Sequence, residues 1–245
     1  PLGARAVRQF HDRMLAVIND ELDQWTLGTH PDLTATVRTL TLRVVADLLF
    51  TTDLTDEAME IIDRATNEIH KWAEDDPANQ NLDDEPASFR AGIDELDRFI
   101  RSVLATRSPE NPGDDMVGWL ITASQDPDMP LDAEGVRDEA ITLMLAGHET
   151  VTNTITFALA LIGRHPDKAN ATARSIVDET LRIYPPVHIT GRLITKEFDV
   201  GSVVIPAGWE VLIPEFVLYR NDDHFERADE FLPERWEPES TFRLE

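Results

Sequence analysis

The 245-residue chain reads as a mainly α-helical protein with a small β portion. Three observations predict this class. Apolar residues recur at helical spacing through most of the chain, residues 132–164 carry helix start and stop signals around a largely apolar stretch, and strand-like alternation begins only after residue 200. Helices are expected over 4–25, 33–52, 55–72, 87–107, 115–123, 132–164 and 171–184. A β-hairpin at about 203–213 and an irregular meander at about 221–238 follow, all within one domain spanning 1–245.

Each element has its own signal. Val7, Phe10, Met14, Leu15, Ile18 and Leu22 space the first helix, and Val37, Leu40, Leu42, Val45, Leu48 and Leu49 make the second apolar enough to be buried. Thr55 is a candidate N-cap for the third. Residues 74–86 are too polar and proline-punctuated for a core element, and they read as a loop. Ile93, Leu96, Phe99, Ile100 and Val103 line the next helix, which Pro109 and Pro112 stop. Pro185 and Pro186 end the helix over 171–184. Val203 to Ile205 and Trp209 to Ile213, joined by Pro206, Ala207 and Gly208, read as the hairpin.

Composition narrows the function. The chain has no cysteine, which excludes disulfides, thiolate metal ligation and a cysteine nucleophile within these residues. Forty-seven acidic residues against twenty-two Lys and Arg give a net charge of −25, which repels phosphate backbones and argues against nucleic-acid binding. No signal-peptide, lipidation or membrane-spanning pattern is read in the sequence, so a soluble cytoplasmic protein is expected; a monomer is expected as well.

Residues 132–164 form the organising helix, with Asp132 as N-cap and Gly163 and Pro166 at the far end. It should span about 50 Å. Between its two apolar runs stand Gly147, His148, Glu149 and Thr150. The Thr150 hydroxyl can turn to the carbonyl of Ala146, bending the helix and opening a groove that Gly147 leaves free of side chain. Glu149 beside Thr150 makes a short proton relay. The same residues also suit a buried polar pair satisfied by water or a neighbouring helix, and the motif alone does not separate the two. Further on, Glu179 and Arg182 lie one helical turn apart, a pairing common on helix surfaces.

Three motifs in order resemble the cytochrome P450 family of haem-thiolate monooxygenases: Ala146-Gly147-His148-Glu149-Thr150, then Glu179-Thr180-Leu181-Arg182 with Tyr184-Pro185-Pro186, then Pro233-Glu234-Arg235-Trp236. The resemblance implies a P450-like helical fold and a haem, iron protoporphyrin IX, as cofactor. It implies a buried network of Glu179, Arg182 and Arg235, and a metal-binding oxidoreductase that uses dioxygen and two electrons from NAD(P)H. Ala146 and Gly147 would lie against the haem, Arg192 would pair with a propionate, and Leu143, Val187 and Ile189 would face a lipophilic substrate. Thr150 would hydrogen-bond bound dioxygen while Glu149 delivers protons, with a ferredoxin or flavodoxin and its reductase as the electron source. The helices flanking residues 74–86 would carry the loop over the substrate entrance. His148 reads as a packing residue and no metal ligand is assigned. The chain departs from the family in four ways: the cysteine loop is absent, the N-terminal sheet is absent, the link from His165 to Glu179 is short, and Val151 stands where Thr or Ser is usual.

Two other classes are open to the sequence. A haem-free helical binding domain describes the chain as written. A metal-dependent terpene cyclase would use acidic motifs such as Asp83-Asp84-Glu85 or Asp222-Asp223, which sit in loops without a second helical metal motif.

Overall fold

The computed structural model describes residues 4–26, 28, 32–51, 55–75, 85–128 and 131–238. Helices α1 (Ala4–Leu22), α2 (Leu33–Phe50), α3 (Asp56–Asp75), α4 (Ala87–Leu104), α5 (Met116–Ala123) and α6 (Ala133–Arg164) come first. Helix α7 (Ala173–Ile183), strands β1 (Thr190–Leu193), β2 (Phe198–Asp199), β3 (Val204–Ile205) and β4 (Glu210–Ile213), and the single turn α8 (Glu215–Leu218) follow. Where the sequence treats 1–245 as one domain, the contacts group the chain into two compact units that meet in the sequence between Glu149 and Thr150. Most of the 74–86 loop, including Asp83 and Asp84, lies outside the described residues.

Helix ends follow local hydrogen bonding. Asp32 caps α2 by accepting from the Ala35 amide at 2.8 Å, Thr55 accepts from the Ala58 amide at 3.2 Å, and Asp132 accepts from the Gly135 amide at 2.8 Å. Thr51, at φ 49°, enters the left-handed region and stops α2 at Phe50, short of the expected residue 52.

The core of the first unit joins Leu42, Leu49 and Phe50 of α2 to Ile62 and Ala65 of α3, Leu96 and Ile100 of α4, Val117 of α5, and Ala140 and Met144 of α6. Each helix contributes one stripe, and each fully buried Leu or Ile stabilises by about 1.5–3 kcal/mol. Gly92 sets the spacing of α3 and α4: a Cβ there would stand 3.4 Å from the Ala65 Cα. Asp115, fully buried, ties the α4–α5 connection to the end of α2. It accepts from Arg107 Nη1 and Nη2 at 2.9 and 2.8 Å and from Thr51 Oγ1 at 2.9 Å, while Arg107 Nη2 also donates to the Phe50 carbonyl at 2.8 Å.

In the second unit Ala158 and Leu161 of α6 pack with Ile176 and Ile183 of α7 and with Phe231. The β segments correct the sequence reading. Residues 203–205 and 209–213 do not pair with each other; β3 pairs antiparallel with β2 and β4 with β1. Gly201-Ser202 is the missed hairpin turn: Gly201 has φ +86°, the conformation glycine supplies to a two-residue loop. Pro206 has no N–H to extend a ladder, and Gly208, at φ +87°, turns the chain so that its amide donates to the Ile194 carbonyl at 2.7 Å.

Candidate functional site

Helix α6 runs unbroken through 146–150. The groove that the sequence predicts there is therefore not a break in the helix. Instead its two sides differ. Val136, Ala140, Met144 and His148 recur every fourth residue and are all buried, at 4%, 0%, 0% and 1% exposure. Ala146 and Thr142 are exposed on another side, and Leu143, Gly147, Glu149 and Thr150 are half-buried. Gly147 faces neighbouring protein: a Cβ there would meet Val45 of α2 at 3.6 Å, an ordinary contact. Ala146 is exposed, and Gly147 is half-buried beside Val45 of α2. We expect Gly147→Ala to be neutral or stabilising by up to about 1 kcal/mol, because alanine is the better helix former. A thermal melt checks this, and a clear loss of stability would contradict it.

His148 packs as the sequence suggests. Its Nδ1 lies 3.1 Å from the Met144 carbonyl, and burial holds its pKa below the ordinary histidine value. A ring so enclosed is poorly placed to ligate a metal.

Glu179, Arg182 and Arg235 are brought together in the second unit. Glu179 is fully buried, and Arg182 and Arg235 are 3% and 9% exposed. Arg182 grips Glu179 bidentately, with Nε to Oε2 at 2.9 Å and Nη2 to Oε1 at 2.8 Å. Arg235 Nε reaches the same carboxylate at 3.4 Å, and Arg235 Nη2 donates to the Arg227 carbonyl at 3.0 Å.

Sequence reasoning missed how many other groups converge. Arg182 also donates to the carbonyls of Tyr219 at 2.7 Å, Ala228 at 2.6 Å and Glu230 at 3.0 Å, so all five of its N–H groups are used. The Leu232 amide donates to Glu179 Oε1 at 2.9 Å, and Trp236 Nε1 donates to Oε2 at 2.8 Å. The 219–236 meander, whose regular structure is one 3-10 turn at Pro233–Trp236, is folded around one ion pair. The Trp in Pro233-Glu234-Arg235-Trp236 was the available signal, since a buried indole N–H needs an acceptor. Trp236→Phe, which keeps the bulk and removes that donor, should cost about 1–3 kcal/mol in urea unfolding. An unchanged midpoint would remove the indole from the network.

Arg192 stands exposed on β1, and Nη1 donates to the neighbouring Gly191 carbonyl at 2.8 Å. Among the described residues no carboxylate lies within ion-pair distance of it. Ile189 lines a cavity of about 480 Å³ with Phe157, Tyr184, Pro185, Pro186 and Phe216, in which the Phe157 and Tyr184 rings stack at 4.5 Å. Val187 does not line it and is 52% exposed. Asp222, offered above as a metal ligand, is turned to the Ala228 amide at 2.9 Å. Among the described residues no group of three acidic or imidazole side chains is arranged to hold a metal ion, and no helix is long and apolar enough to cross a membrane.

A long helix with one open face, and a Glu-x-x-Arg helix locked to a meander arginine, define the class. The cytochrome P450 family model matches residues 4–174 and 171–245, meeting where the link after His165 is short. The chain belongs to the cytochrome P450 family. It is 27% identical to cyclooctat-9-en-7-ol 5-monooxygenase of Streptomyces melanosporofaciens, across 88% of this chain and 54% of that protein. It is 24% identical to pentalenene oxygenase of Streptomyces avermitilis, across 96% of this chain and 59% of that protein. Cytochrome P450 EryK of S. erythraea, solved in an open form, superposes with a TM-score of 0.75 at 26% identity, covering 98% of this chain and 60% of that one. The chain thus spans about half the length of the curated relatives it matches.

Haem is the cofactor this family implies, and the chain's residues fit its edge. Among the described residues the Arg192 guanidinium has no carboxylate within ion-pair distance, which suits it to a propionate. The iron's thiolate ligand is not among these residues, none of which is cysteine.

Proposed function

We propose that the full protein is a haem-dependent monooxygenase that places one oxygen atom of dioxygen on a lipophilic small molecule. The observation that carries this is the two-sided α6: His148 and Met144 are packed away, whereas exposed Ala146 stands within a turn of half-buried Glu149 and Thr150. Haem, when bound, supplies the activation of dioxygen. The chain's own residues bind, orient and move protons. Arg192 anchors a carboxylate of the cofactor, and Ala146 keeps bulk away from the oxygen side. Thr150 donates a hydrogen bond from its hydroxyl, and Glu149 carries a proton to it from the half-exposed side of the helix. Glu179, Arg182 and Arg235 hold the fold and take no part in the chemistry.

Two relatives named for cyclooctat-9-en-7-ol and pentalenene support an apolar substrate, with Ile189 and its apolar cavity as the surface offered to it. Electrons would come from NAD(P)H through a ferredoxin or flavodoxin. The test is the carbon monoxide difference spectrum of the reduced full-length protein. A Soret band at the wavelength that names the family is expected, and its absence from haem-loaded protein would refute the reading.

A further inference from the structure

His148 takes no part in the proton relay proposed for its neighbours, yet it is 1% exposed in a stripe otherwise made of Val136, Ala140 and Met144. Leucine would fill that position at a lower desolvation cost. What the imidazole adds is a group that can take up a proton. A carbonyl only accepts, so Nδ1 carries a proton toward Met144 O at 3.1 Å, and Nε2 is the atom that would take a second. Arg38 of α2 and Asp63 of α3, 3.8 Å apart, act on the ring together with Glu149 from its own helix. Burial lowers the ring's pKa most strongly, opposed by the Met144 carbonyl and the two carboxylates.

Successive helix residues turn by about 100°, so whatever fixes His148 also fixes Glu149 about a quarter-turn away and Ala146 on roughly the opposite side. We infer that His148 is a positioning residue. Its neutral ring, buried in the first unit, sets the rotation of α6 that presents Ala146 and Glu149, while the bond to the Met144 carbonyl in the same helix fixes only which ring nitrogen holds the proton; a second proton, taken up at Nε2, would put a charge in that buried site and release the setting. The functional meaning rests on Glu149 as the proposed proton carrier. The direction of the pH effect follows from linkage: the released state binds the extra proton more readily, so the setting holds above the ordinary histidine pKa and weakens as the pH falls through that value toward the lowered one.

Hydrogen exchange of amides 144–150 in the full-length protein, corrected for the intrinsic pH dependence, tests this. Wild type should exchange about tenfold faster near pH 5 than near pH 7, whereas His148→Gln, which keeps a donor and cannot ionise, should not. The same acceleration in both proteins would overturn the inference. Should the variant fail to fold, NMR titration of His148 in wild type decides, because a pKa above the ordinary value of about 6.5 would overturn it equally. Product formed per NAD(P)H should follow the exchange step in wild type and lose that pH dependence in His148→Gln; matching profiles would deny the positioning role. An exchange step without any haem spectrum would leave the helix setting intact and refute the monooxygenase reading instead.

Discussion

Arg182→Lys should destabilise the protein by about 3–5 kcal/mol, although the charge is retained. The guanidinium places five N–H groups in one plane and all of them are taken: two on Glu179 and one each on the carbonyls of Tyr219, Ala228 and Glu230. Lysine has three donors on one nitrogen and cannot span that ring of acceptors. Buried carbonyls and part of the Glu179 carboxylate would lose their partners, and each such loss costs about 1–3 kcal/mol. Residues 219–232 form no long regular element, so they have little else to hold their shape. Denaturant unfolding should show a lower midpoint, and limited proteolysis should cut first between 219 and 232. A variant within about 1 kcal/mol of wild type would mean that the charge alone organises the meander.

Thr150→Ala should lower product formed per NAD(P)H by about tenfold or more, with NAD(P)H still consumed. This follows from the proposed role of the hydroxyl as the last donor before dioxygen. Fold is not at stake, because Thr150 is half-buried on a helix and alanine is the better helix former. Thr150→Ser, which keeps the hydroxyl, should restore most of the yield. Equal coupling in wild type and the alanine variant would take Thr150 out of the relay.

Much of this was legible in the residues. Periodicity located the helices because each buries a single stripe, as Leu96 and Ile100 do on α4. Helix ends were read less well where backbone conformation decided them, as at Thr51 in the left-handed region. The strand pairing is not legible locally, because Pro206-Ala207-Gly208 and Gly201-Ser202 are both turn sequences and β4 pairs with β1 about twenty residues away. At the site, Glu179, Arg182 and Arg235 could be named from their motifs. The carbonyls of Tyr219, Ala228 and Glu230 could not, since every residue has a carbonyl and only the fold selects which ones converge. Which neighbour Gly147 stands beside, Val45 at 3.6 Å from an added Cβ, is a matter of helix rotation that a two-sided apolar pattern does not fix.

The central claim is that the side of α6 bearing Ala146 is the oxygen side of the haem. Ala146→Phe tests it most directly, because Ala146 is exposed and the added ring need not disturb the protein core. Carbon monoxide titration of the reduced, haem-loaded full-length protein is the measurement. The variant is expected to keep its haem and its melting temperature while losing carbon monoxide binding; wild-type affinity in that variant would contradict the claim.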